Sequence, residues 1–284
     1  MEAIEMTFKY SFNTWAFSSF PTWLPAYPFE YVVRVLAETG YDGIEIGCAS
    51  PIAFPAYLSK ERREAMRRLV VANHLSVSSL LPAPGGGPGY NVASPYDVER
   101  QAAIKQYEEV IDLAEDLQGS TVLYVAGWVV HGSSYVEARK WSAEALHTLA
   151  RYAEPRGVRL AVEPTSADSN LIETADDVLE IIAEVNQKNV GAMFDTFHVA
   201  YRSESPVDYV DRLRNVLIHV HIAHIDRQPP QDGSVDYWGL LRALRQINYG
   251  GYVTMEIGFT DRKVDPAFYA RQSLDYLKGL EERL

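Results

Sequence analysis

The feature that most constrains this chain is a regular alternation. Short β-rich runs, apolar enough to be buried on both faces, are followed by longer amphipathic stretches, eight times from end to end. The runs are Lys9–Thr14, Gly43–Gly47, Leu75–Leu80, Thr121–Val125, Val158–Glu163, Val190–Asp195, Leu217–Ile222 and Tyr252–Ile257. Parallel strands covered by helices on one side and by their own interior on the other read this way, so the expected fold is α/β, a (β/α)8 barrel. At 284 residues the chain has the length of one such barrel, and no linker or internal repeat divides it, so residues 1–284 are expected to form a single domain.

Local signals agree with this pattern. Ser94, with Pro95 and Asp97 behind it, reads as a helix N-cap followed by an N1 proline and an acidic third position. Ser134 with Glu137, Thr174 with Asp177, and Asp265 before Pro266 predict three more helix starts. The segment LPAPGGGPGY, Leu81–Tyr90, is too rich in Gly and Pro for either element. As the loop after the third strand it would lie on the catalytic face as a lid or simply as a surface loop.

Composition narrows the function. The formal net charge of −12 repels a nucleic-acid backbone, so no nucleic-acid partner is expected. A single cysteine, Cys48, excludes an intramolecular disulfide and fits a reducing compartment. No apolar run approaches membrane-spanning length and Met1–Tyr10 lacks a signal-peptide core, so the expectation is a cytoplasmic protein with no membrane association.

Catalytic groups of such a barrel gather at the C-terminal ends of its strands. Glu163 ends the fifth strand, Asp195 the sixth, and Glu256 the eighth, while His221 lies at the end of the seventh. Each has an ordinary explanation alone, as a solvated carboxylate or a core histidine. Together, three carboxylates and an imidazole at one mouth call for a cation. Hard oxygens with one imidazole and no thiolate suit one divalent ion with open positions: Mn2+ first, Co2+ or Mg2+ as replacements.

Glu163 and Glu256 stand at the two ends of this arc, so a substrate between them would meet a carboxylate on each face. With a Lewis acid polarising a carbonyl and its neighbouring hydroxyl, one glutamate removes a proton to give an enediolate and the other returns it. Return to the same carbon is epimerisation; return to the former carbonyl carbon is aldose–ketose isomerisation. His198 and Arg227 are expected to bind substrate oxygens, and Asn13, Trp15, Glu45 and Trp128 to line the mouth. His219 shares a strand face with His221 and is either a rival ligand or a residue of a lower layer; His224 is a weaker rival.

At these residues the chain resembles the xylose-isomerase-like barrel superfamily of sugar isomerases and epimerases over nearly its whole length. The likeness is carried by VEP at Val162–Pro164, FDTFH at Phe194–His198, HVHIAHIDR at His219–Arg227 and MEI at Met255–Ile257, with YDGIEI at Tyr41–Ile46 in support. The nearest pattern is that of ketose 3-epimerases of the D-tagatose and D-allulose type. The resemblance implies metal ligation by Glu163, Asp195, His221 and Glu256, acid/base catalysis by Glu163 and Glu256, and substrate contacts from His198 and Arg227. It also marks a departure: six residues after Glu163, where those epimerases carry a second glutamate, this chain has Ser169.

The substrate expected is a small sugar or keto-cyclitol. With no P-loop or basic phosphate cradle in view, a non-phosphorylated sugar is favoured, and a homodimer or homotetramer is the assembly common on this fold. Three other functions use the same scaffold. An inosose or keto-cyclitol isomerase/dehydratase, or a 3-dehydroshikimate dehydratase-like lyase, would expel water from the same enolate. An endonuclease IV-like repair enzyme would need three zinc ions and a DNA-binding surface, against the acidic balance. A binding protein without catalysis would respond to Glu163→Gln in affinity and not in turnover.

Overall fold

The computed structural model describes residues 7–18, 26–82, 89–258 and 263–284. Eight parallel strands close into a barrel in chain order: β1 (Lys9–Asn13), β2 (Gly43–Cys48), β3 (Ser76–Pro82), β4 (Thr121–Val125), β5 (Arg159–Glu163), β6 (Val190–Asp195), β7 (Leu217–Ile222) and β8 (Tyr252–Met255). The ends differ from the sequence expectation by a residue or two. Thr14 leaves β1 for a 3-10 turn whose second N–H, on Trp15, is accepted by the Asn13 side chain, and β8 stops at Met255, leaving Glu256 just beyond it.

Outer helices fill the connections, among them Phe29–Thr39, Lys60–Ala72, Tyr135–Ala153, Ala175–Val185 and Pro266–Glu281. Three of the four expected starts are as read. Ser134 Oγ accepts from Glu137 N, Thr174 and Asp177 form a reciprocal capping box, and the Asp265 carboxylate accepts from Ala267 N behind Pro266. Ser94 differs: the helix begins later, at Asp97–Leu117, with Tyr96 at its cap. Ser94 Oγ accepts from Tyr96 N and its carbonyl from Arg100 Nη1, so its hydrogen-bonding capacity shapes the turn ahead of the helix instead. Residues 83–88 of the Gly-rich segment, and with them the expected lid, lie outside the described residues.

Alternation along the strands sorts the side chains into two sets. One set, including Val122, Tyr124, Leu160, Val162, Ala192 and Phe194, packs outward against the helices in the main core. The other faces the barrel axis, where Leu81, Leu123, Ala161 and Met193 form a small apolar plug with Trp15 and Ile218 against it. Gly47 makes room for Trp15: a Cβ there would stand 1.8 Å from the indole Nε1. Two residues past Ala161 and Met193 come Glu163 and Asp195, which by the same alternation face the axis one layer higher.

Candidate metal centre

Strand register brings the four expected ligands to one level. Asp195 is paired with His221 across β6 and β7, and Glu256 N donates to the Ile222 carbonyl (3.1 Å), which carries its side chain to the same mouth. Each of Glu163, Asp195, His221 and Glu256 offers an atom to a group in which all four atoms lie within 4.8 Å of one another. All four residues are buried, Glu256 the most exposed at 8%.

Two of the donor atoms have no hydrogen-bond partner: Glu163 Oε1 and His221 Nδ1. His221 Nδ1 is 3.2 Å from Glu256 Oε2, but not in hydrogen-bonding alignment. Buried polar atoms without partners are costly and uncommon, and here both belong to one compact cluster of hard donors. The residues present therefore fit a divalent cation.

Charges on the cluster are uneven. Burial, reinforced by the Glu256 charge, pushes Glu163 well above the usual carboxylate range. Burial likewise raises Asp195 to about 6, with Glu256 adding to the rise and Arg227 opposing it. Glu256 goes the other way: burial would raise it, but His221 and Arg227 beside it bring it down to about 2. Burial alone would lower His221, yet the flanking Glu45 and Glu256 carboxylates outweigh it and hold the imidazole well above its ordinary value.

Arg227 is the local counterion. Its Nη1 donates to Asp195 Oδ2 and to Glu256 Oε2 (2.7 Å), and the guanidinium lies over the Phe197 ring, 3.9 Å from its centre. His198 faces it. The His198 Nδ1 accepts from Ala167 N (3.2 Å), so the neutral ring carries its proton on Nε2, directed toward the mouth. Burial and the nearby guanidinium lower its pKa to about 3, which keeps the ring neutral. The 3.3 Å approach of Arg227 Nη2 to His198 Nε2 is thus a meeting of two donors aimed at the same place.

A residue that the sequence reading passed over completes this rim. Asp168 Oδ2 is 3.6 Å from both His198 Nε2 and Arg227 Nη2, on a side chain that is two-thirds exposed. It stands one position before Ser169, whose hydroxyl turns away to donate to the Gly127 carbonyl (2.6 Å). The available signal was an acidic residue directly before Ser169, in the segment TSADSN at Thr165–Asn170. Trp128 is half-buried, its backbone held on both sides by the Asn91 amide.

Two residues expected at the mouth lie beneath it. Glu45 and Asn13 are buried, at 0% and 1% exposure, and are bonded to each other through Asn13 Nδ2 and Glu45 Oε1 (2.6 Å). Inward-facing positions on β1 and β2 reach the axis below the level of the strand ends on the far side. His219 also belongs to this lower layer: its Nε2 and that of His221 each lie 2.9 Å from Glu45 Oε2. Those three residues are a compact trio, but their facing atoms are occupied by one another. His224 stands apart, paired with Asp226 in a loop.

Comparison with known proteins agrees with this architecture. Residues 33–280 match the family model described as "Xylose isomerase-like TIM barrel". A fructoselysine 3-epimerase of Shigella flexneri is 29% identical over 259 residues, 89% of this chain and 93% of its own length. A 3-dehydro-D-guloside 4-epimerase of Escherichia coli (strain K12) is 27% identical, over 86% of this chain and 92% of its own. Among solved structures, a D-psicose 3-epimerase from Clostridium cellulolyticum H10 superposes with a TM-score of 0.82 at 22% identity, covering 96% of this chain and 99% of that one. With the family model spanning most of the chain, and a closed eight-stranded barrel beneath it, the protein belongs to the xylose isomerase-like TIM barrel family.

Proposed function

We propose that this protein is a divalent-metal-dependent epimerase of a small keto sugar, acting by proton removal and return beside a carbonyl, with Glu163 and Glu256 as the acid/base pair. The observation that carries the reading is geometric: a buried quartet of ligand atoms at the barrel mouth, with one glutamate from the end of β5 and the other from just past β8. The curated relatives, both named as epimerases of sugar derivatives, support the same class.

Glu163, Asp195, His221 and Glu256 would hold the ion, with Mn2+ the first choice and Co2+ or Mg2+ able to replace it. When bound, it supplies Lewis acidity toward a carbonyl and the adjacent hydroxyl. Glu256, kept ionised by Arg227 and His221, is suited to take a proton from carbon. Glu163, which burial gives the higher proton affinity of the two, is suited to exchange a proton with the substrate from the other face. His198 Nε2–H and the Arg227 guanidinium donate to one substrate oxygen, while Asp168 accepts from a neighbouring hydroxyl. The Trp128 side chain at the rim offers an apolar surface for the sugar ring.

The test is product analysis. Mn2+-loaded protein is incubated with D-fructose, D-tagatose, D-psicose and an inosose, and the products are separated and weighed. A stereoisomer of unchanged mass, lost in Glu163→Gln and Glu256→Gln, is the expected result. Loss of water would instead assign a dehydratase, and turnover undiminished in both variants would remove the glutamates from the chemistry.

A further inference from the structure

Below the metal centre, a buried cluster of polar side chains from β1, β2, β3 and β7 lies inside the barrel, and its arrangement bears on how His221 is presented. Glu45 sits on β2, three strands from β7 around the closed barrel, and is fully buried. It is fixed from three strands: Asn13 Nδ2 donates to Oε1 at 2.6 Å, and Ser79 Oγ donates to Oε2 at 2.5 Å. The two imidazoles of β7, His219 and His221, both bring Nε2 to the same Oε2 at 2.9 Å. Ser79 Oγ also lies 3.2 Å from His219 Nε2, and it continues through Ser78 to Ser11 in a chain of buried hydroxyls.

A carboxylate only accepts, so a ring nitrogen bonded to it must carry the proton. With His221 Nε2–H committed to Glu45, the nitrogen left to bind an ion is Nδ1, and Nδ1 is the atom that lies among the quartet without a hydrogen bond. Of the two histidines on this strand, His219 has its Nε2 held against Glu45 one layer lower and is absent from the quartet.

We infer that Glu45 is a positioning residue of the metal centre. Its carboxylate, anchored by Asn13 and Ser79, fixes the tautomer and ring orientation of His221 so that Nδ1 faces the ion, and its charge strengthens that nitrogen as a ligand. The inference rests on the metal-centre reading above and adds to it a residue outside the ligand set. It assigns the buried acid of β2 a role that neither the mouth nor the barrel plug explains.

The test compares the wild type with Glu45→Gln, which keeps the volume and removes the charge, and with Ser79→Ala, which keeps the charge and loosens its anchor. Free Mn2+ is counted by electron paramagnetic resonance during titration, and the imidazole tautomers of the metal-free proteins are read by 15N-correlated NMR. The expected result is Mn2+ affinity about 10- to 100-fold weaker in Glu45→Gln and less weakened in Ser79→Ala. In the metal-free wild type, read at a pH high enough for the His221 ring to be neutral, its proton should sit on Nε2, with that preference lost in Glu45→Gln. Wild-type Mn2+ uptake with unchanged affinity in a folded Glu45→Gln, or His221 found with Nε2 bare, would overturn the inference alone. Failure of the wild type to take up Mn2+ would overturn the metal-centre reading and this inference together. The wild-type NMR reading decides the tautomer even where a variant does not fold.

Discussion

Glu163 and Glu256 share one buried mouth, but Glu256 has the Arg227 guanidinium at 2.7 Å and the His221 imidazole at 3.2 Å, whereas the nearest imidazole to Glu163, that of His198, is 3.9 Å away. That difference in neighbours favours the protonated form of Glu163 and the ionised form of Glu256 in the metal-free protein, and it has a consequence for metal uptake. Asp195, raised to about 6, and Glu163, raised further, must lose protons before they can ligate. A carboxylate whose folded pKa is raised favours the protonated form, so its contribution to metal-free stability is present at low pH and lost as pH rises through about 6. Metal binding runs against this. Mn2+ affinity should therefore fall steeply as pH drops through about 6, and binding near neutrality should release protons, as calorimetry in buffers of different ionisation enthalpy will measure; pH-independent affinity would contradict the charge assignment. Asp168, poised beside two donors but partly solvated, should act on substrate and not on the ion: Asp168→Asn should lower kcat/KM about tenfold while leaving the Mn2+ Kd unchanged. The four quartet residues were legible in the sequence because each lies at or beside the end of an apolar strand run, where alternation and the barrel rule leave few directions to point. Asn13 and Glu45 were not, because depth along the barrel axis depends on the stagger between strands, which no single run reveals. Asp168 was missed for a different reason: it lies in a loop, where no periodicity sets the direction of a side chain.

At the scale of elements, the barrel is specified by strands buried on both faces and by helix starts that satisfy their own backbone. The Thr174–Asp177 capping box opens the helix that follows β5, the strand that carries Glu163. Thr174→Ala should cost about 1 kcal/mol of stability with ligand binding intact, which denaturant unfolding will show as a shifted midpoint at constant slope. Gly47 is a sharper test of the interior. Because a Cβ there would overlap the indole of Trp15, Gly47→Ala should destabilise by about 1–3 kcal/mol as the ring is displaced from the plug, and a variant as stable as the wild type would show that Trp15 does not lie where the structure puts it. Strand positions were readable to within a residue or two because apolar runs end where the chain turns. The Ser94 start was misread because a serine two residues earlier can use the same hydroxyl to build a turn, and local pattern does not distinguish the two uses.

For the molecule as a whole, the closed ring of strands is what makes four residues distant in sequence into one site, and ion binding should in turn stabilise the ring. Mn2+ at 100 times its Kd should add about 2.7 kcal/mol of stability, seen as a rise in Tm that vanishes in His221→Ala. Fold class was legible because eight alternating units leave little else to build, and no helix among the described residues is long and apolar enough to cross a membrane. Substrate identity was not, since the rim is built by loops, among them those of Asp168 and Trp128, whose side-chain placement no periodicity fixes. The central claim, metal-dependent proton transfer at carbon by two glutamates, is tested most directly by hydrogen exchange. The protein is stripped with a chelator, restored with Mn2+, and incubated with a ketohexose in D2O while proton NMR follows the C–H beside the carbonyl. Deuterium entry that requires the ion and falls by about 10²- to 10⁴-fold in Glu256→Gln is the predicted result. Exchange that persists in the stripped protein, or a product formed without solvent deuterium, would contradict it.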